Sequence, residues 1–116
     1  MNRKYWITST NDFKRVRLSG KSYAHPLVVI ICAKGTAENS RVGLITGNSI
    51  GKAVRRNKAR RRLRMIFGEL MPEFTSCVDM VVIGRPAMDR ASYVEIKAAI
   101  RSLLERAHVT GKNDSL

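Results

Sequence analysis

Residues 52–64 hold eight Lys or Arg in thirteen positions and not one Asp or Glu. A like-charged block of this length is ordinarily disordered, because it repels itself and has nothing apolar to bury. Here Ile50, Ala53, Val54, Ala59, Leu63, Ile66, Phe67 and Leu70 recur at helical spacings. That pattern predicts a helix over about 50–70, capped by Asn48 or Ser49 and ending before Pro72. Ala59, Leu63, Ile66, Phe67 and Leu70 fall on one face of its second half. Arg56, Arg60 and Arg64 run along the edge of that face beside Asn57, while Arg55, Lys58, Arg61 and Arg62 point outward. Only a narrow stripe is left to anchor the helix. Like charges at i, i+4 cost about 0.2–0.5 kcal/mol per pair, and a bound polyanion would relieve that repulsion.

The charge of the whole chain sharpens the expectation. Its 22 Lys and Arg against 9 acids leave a net +13, which predicts a polyanionic partner. At 116 residues and 44% apolar, the chain reads as one domain over 1–116, with a basic lead at 1–8 and a flexible tail at 109–116. No apolar run approaches the ~20 residues that span a bilayer. The first ten residues, MNRKYWITST, lack the apolar segment and cleavage site of a signal peptide, so a cytoplasmic location is expected. Cys32 and Cys77, without CxxC or His spacing, read as buried free thiols of a reducing compartment.

Taken in order, Tyr5, Trp6 and Ile7 can pin the lead to the body. Ser9 or Thr10 caps a short helix over 10–19, with Phe13 and Val16 on one face and Gly20 as its stop. KSYAH (21–25) reads as an edge strand broken by Pro26. LVVIICA (27–33) is a β-branched strand, joined by a polar hairpin connection over 35–40 to an antiparallel RVGLIT (41–46). A loop over 72–77 leads to VDMVVIG (78–84), the third long strand. Ser92 and Glu95 form a capping box that opens a helix to about 107, with Tyr93, Ile96, Ile100, Leu103, Leu104 and Ala107 on one face. The expected fold is α/β (α+β), a small mixed four-stranded sheet packed by helices.

No catalytic constellation is visible. His25 and His108 are single, the nine acids are scattered without a DxD pair, and no Gly-rich phosphate loop is present. No catalytic or metal-ligating residue is therefore assigned, and a nuclease acting alone is the weakest reading. Binding is better supported, because Arg pairs bidentately with phosphate and Arg41, Arg55, Arg56, Arg60, Arg61, Arg62 and Arg64 supply most of the local charge. A DNA reader would want a free recognition face and usually a dimer. A membrane-surface helix would turn its apolar stripe to lipid, whereas this stripe is needed for the core. Neither DNA nor a membrane is expected; structured RNA fits best.

The run RVGLITGNSIGKAVRRNKARRRLRMIF resembles the signature of the bacterial ribonuclease P protein subunit, with Gly51, Ala53, Val54, Arg56, Asn57, Lys58, Arg60, Arg61 and Arg64 matching it position by position. NDF (11–13) with Gly20, and DMVVIGRPA (79–87), extend the similarity over nearly the whole chain. The resemblance implies a compact ribosomal-protein-like fold in which the basic helix joins two parallel strands by a left-handed crossover, against the usual hand. It implies that an RNA subunit, with Mg²⁺ held mainly by that RNA and the substrate, removes the 5′ leader of precursor tRNA. The protein would bind that catalytic RNA, one to one, through Arg56, Asn57, Lys58, Arg60, Arg61 and Arg64, with Lys52 and Arg55 supporting. Phe13, Lys14, Arg17, Val29 and Ile31 would line a leader cleft. Val29 and Ile31 stand where a cleft Tyr is common, so the cleft would rely more on charge from Arg17, Lys14 and Lys21 than on aromatic faces. Composition alone does not exclude the alternative, a structural RNA-binding protein of ribosomal type without a role in cleavage.

Overall fold

A computed structural model describes residues 3–110; the remainder of the expected lead and tail, 1–2 and 111–116, lies outside the described residues. Three helices, α1 (Thr10–Ser19), α2 (Ala53–Leu70) and α3 (Tyr93–Arg106), accompany four strands, β1 (Lys21–Ala24), β2 (Val28–Lys34), β3 (Arg41–Ile45) and β4 (Val78–Gly84). The strands form one sheet in the order β1-β2-β4-β3. β4 runs antiparallel to β2 and parallel to β3. The mixed four-stranded sheet is thus present, and the basic helix α2 connects its parallel pair.

The expected hairpin between β2 and β3 does not exist, because β4 lies between them. β4 is the strand whose side chains are buried on both faces, with Met80, Val81 and Val82 fully covered. Such a strand belongs at the centre of a sheet, and β3 moves out to the edge.

Strand alternation divides the side chains between two faces. On one face Val28, Ile30, Val42, Met80 and Val82 meet the α2 stripe and Ile96, Ile100, Leu103 and Leu104 of α3. The buried residues of α2 are Ala59, Leu63, Ile66, Phe67 and Leu70, the stripe expected from spacing. On the other face α1 buries Val16 against Ile7 and Val81, flanked by half-buried Phe13, Ile31, Ala33, Ile45 and Ile83. A ten-residue helix covers only part of that face.

Element ends depart from expectation for local reasons. α2 begins at Ala53 with Lys52 as an N-cap that makes no side-chain bond, because residues 47–51 turn first, through Ile50 N–H to the Gly47 carbonyl and Gly51 N–H to the Asn48 carbonyl (both 3.1 Å). Gly51 holds φ 143°, a conformation that favours glycine. Ile50 reaches the core from this turn, whereas Ala53 and Val54 face solvent. Ser9 occupies the α1 cap position without a side-chain bond. The Ser92–Glu95 box forms in both directions, at 2.8 and 3.1 Å. Cys32 is half-buried, and burial pushes its thiol up to about 11; Cys77 is exposed rather than buried. The expected flexible tail begins too early: Val109 is buried, its carbonyl accepts the Thr75 N–H at 2.7 Å, and Thr110 bridges to Phe74.

Candidate nucleic-acid interface

Of the eight cations over 52–64, only Arg55 meets a carboxylate among the described residues, Asp89 at 3.3 Å. Lys52, Asn57, Lys58, Arg61 and Arg64 are exposed, while Arg56 and Arg60 are half-buried along the edge of the stripe. Arg56 donates to Asn48 Oδ1 (2.8 Å) and to the Gly51 carbonyl (3.1 Å), tying the turn to the helix. Arg60 donates to Thr46 Oγ1 at 3.0 Å. These partners are neutral and leave most of the five guanidinium N–H donors free, so the edge stays cationic and gains a fixed geometry. Arg64 lies over the Trp6 ring, 5.9 Å from its centroid. Arg62 corrects an expectation: it is half-buried and donates to the Ala91 carbonyl at 2.9 Å, clamping α2 to the segment before α3.

Arg41 is also not part of this surface. It grips buried Asp79 through Nε (3.2 Å) and Nη2 (2.9 Å), with Asp12 at 3.4 Å from Nη1. Arg15 of α1 pairs with the same Asp79 carboxylate, and Thr36 donates to it at 3.4 Å. Burial alone would push the Asp79 carboxyl up, but hydrogen bonds and charge from Arg41 and Arg15 hold it below its ordinary value. The network fixes α1 to the sheet. A single Asp inside an apolar strand was its only sequence signal.

The face beside α1 gathers Phe13, Val29 and Ile31, with Lys14 and Arg17 exposed on the helix. Register aligns Val29 with Ile83 and Ile83 with Ile45 in one row, and Ile31 with Val81 and Val81 with Gly43 in the next. Ile45, Ile83 and Gly43 therefore join the expected residues. Gly43 leaves space for Phe13: a Cβ there would fall 2.5 Å from the Phe13 ring. Lys21 does not join them. Its ammonium lies 5.7 Å from the Tyr23 ring centroid, and Tyr23 and Cys32, its register partner, belong to the face covered by α2 and α3. The result is a half-buried apolar floor with cations on its helical rim. Among the described residues no three His, Cys, Asp or Glu side chains come together as a metal site.

A family model described as Ribonuclease P matches residues 1–108. The ribonuclease P protein component of Limosilactobacillus reuteri is 38% identical over 110 residues, covering 94% of both chains. That of Herpetosiphon aurantiacus is 31% identical over 113 residues, covering 94% of this chain and 89% of its own. Among solved structures, an RNase P protein from Staphylococcus aureus superposes with a TM-score of 0.83 at 26% identity, covering 92% of this chain and 98% of that one. One from Thermotoga maritima gives 0.78 at 29% identity, covering 86% and 94%.

Proposed function

The chain belongs to the ribonuclease P protein family, and from that premise we propose that it is the protein subunit of this endoribonuclease, with α2 docked on the catalytic RNA, one protein to one RNA. The observation that carries the reading is the anchored helix itself: five buried side chains fix α2, while six of its seven cations (all but Arg55), and Lys52 at its N-cap, have no carboxylate partner among the described residues. A rigid row of Arg and Lys matches phosphates on a folded RNA without paying for its own ordering.

The partly covered face beside α1 takes the single-stranded 5′ leader of precursor tRNA. Phe13, Val29, Ile31, Ile45 and Ile83 offer apolar contact for unstacked bases, and Lys14 and Arg17 hold backbone phosphates. The described residues do not fit a catalytic metal: they gather no ligand set, and the Asp79 carboxylate is already occupied by Arg41, Arg15 and Thr36. Mg²⁺, held by the RNA subunit and the substrate, supplies the hydrolytic chemistry, and the protein binds and orients. The work takes place in the cytoplasm, where precursor tRNA is made.

Reconstitution tests this directly. Precursor tRNA is incubated with protein alone, catalytic RNA alone, and both at physiological Mg²⁺. The protein alone should cleave nothing, and its addition should speed leader removal by the RNA. Cleavage by the protein alone would refute the division of labour. An unchanged RNA reaction would favour a structural RNA binder.

A further inference from the structure

Where the N-terminal lead passes α2, a cavity of about 630 Å³ is lined by Arg3, Trp6, Arg61, Arg64 and Met65. Its floor is apolar and its rim cationic. Trp6 is held in place, because its backbone bridges to Val42 and the Ile7 N–H donates to the Val42 carbonyl at 2.9 Å. Part of its indole packs on the main core, and part remains accessible. Arg64 lies against the ring, and Met65, one turn beyond Arg61, is 62% exposed in the midst of the basic surface. Arg3, Arg61 and Arg64 have no carboxylate partner among the described residues.

A surface that bound phosphate alone would have no use for Trp6 and Met65. An acidic peptide would satisfy the rim but bring no planar ring to the floor. An unpaired nucleotide satisfies both, since a base stacks on an aromatic face while its flanking phosphates meet arginines. We propose that this cavity captures one unstacked nucleobase of the catalytic RNA, with Trp6 and Met65 as its apolar walls and Arg3 and Arg61 on the adjoining phosphates. The proposal rests on α2 being the RNA-docking surface and adds a base-binding pocket where the N-terminal lead passes its second half.

Trp6 is the only tryptophan of the chain, so its emission reports the pocket. The full chain is titrated with the catalytic RNA, with a short single-stranded RNA and with base-free polyphosphate. Both RNAs should quench Trp6, and polyphosphate should not. Trp6→Leu, which keeps an apolar anchor, should weaken binding of the catalytic RNA about 5- to 150-fold, the range expected for one lost stacking contact. The salt dependence should be unchanged, and Trp6→Phe should restore most of the affinity. Circular dichroism establishes that each variant is folded. Tight RNA binding without quenching, equal quenching by polyphosphate, or native affinity in folded Trp6→Leu would overturn the pocket while leaving α2 as the docking surface. Failure of the unaltered protein to bind the catalytic RNA would instead overturn the docking itself.

Discussion

Asp79 shows how much a single buried carboxylate can organise. It is fully buried in a strand of otherwise apolar residues and glycine, and its partners Arg15 and Arg41 lie 64 and 38 residues away in sequence. Removing one partner of a buried pair costs roughly 3–5 kcal/mol. Because Arg15 and Arg41 keep 32% and 19% of their side-chain exposure, Asp79→Asn should cost less, about 2–3 kcal/mol at neutral pH. The sign with pH follows from the lowered folded-state value. The folded protein holds this proton more weakly than the unfolded chain does, so the contribution is full above the ordinary value of 3.8 and fades as pH falls through the lower folded one. Denaturant melts from pH 7 down to 2 should show a steeper acid loss for the unaltered protein than for Asp79→Asn; parallel curves would contradict it. Composition placed Asp79 among scattered acids and Arg41 among free cations. Their pairing depends on which strands become neighbours, and residue spacing does not carry that information.

At the scale of elements, the apolar stripe of α2 was legible because burial follows helical period. Its start was not. Asn48 and Ser49 are good caps in isolation, but Gly51 adopts a conformation that interrupts the helix, and Arg56 fastens the turn from within. Lys52 is left at the positive end of the helix dipole, where a cation is unfavourable, as suits a site that keeps charge for a ligand. The order of β3 and β4 was equally hidden from periodicity. It follows from β4 being apolar on both faces, and the resemblance supplied the parallel pair that spacing missed. The edge row gives a prediction: changing Arg56, Arg60 and Arg64 together to Ala should reduce the slope of log affinity for the catalytic RNA against log salt by roughly 2–3. Binding isotherms over a salt series measure this. An unchanged slope would mean that the bonds to Asn48, Gly51 and Thr46 are the whole role of Arg56 and Arg60.

Across the whole molecule, the sheet separates two tasks. One face is sealed by α2 and α3, and α2 turns most of its cations outward. The other is only partly covered by α1 and keeps Phe13, Ile31, Ile45 and Ile83 half-exposed. The basic block announced the first surface in sequence, because eight cations without an acid cannot all be ordinary solvated charge. The second was faint: its floor consists of alternate strand residues that look like core until the helix above them proves too short. On the proposed function, these two surfaces hold different RNAs. Photocrosslinkers placed at Phe13 and at Arg61, in the complex assembled with catalytic RNA and precursor tRNA, test it most directly. Crosslinks are expected from position 13 to the 5′ leader and from position 61 to the catalytic RNA. Crosslinks from both positions to the same molecule, or with the two targets exchanged, would contradict it.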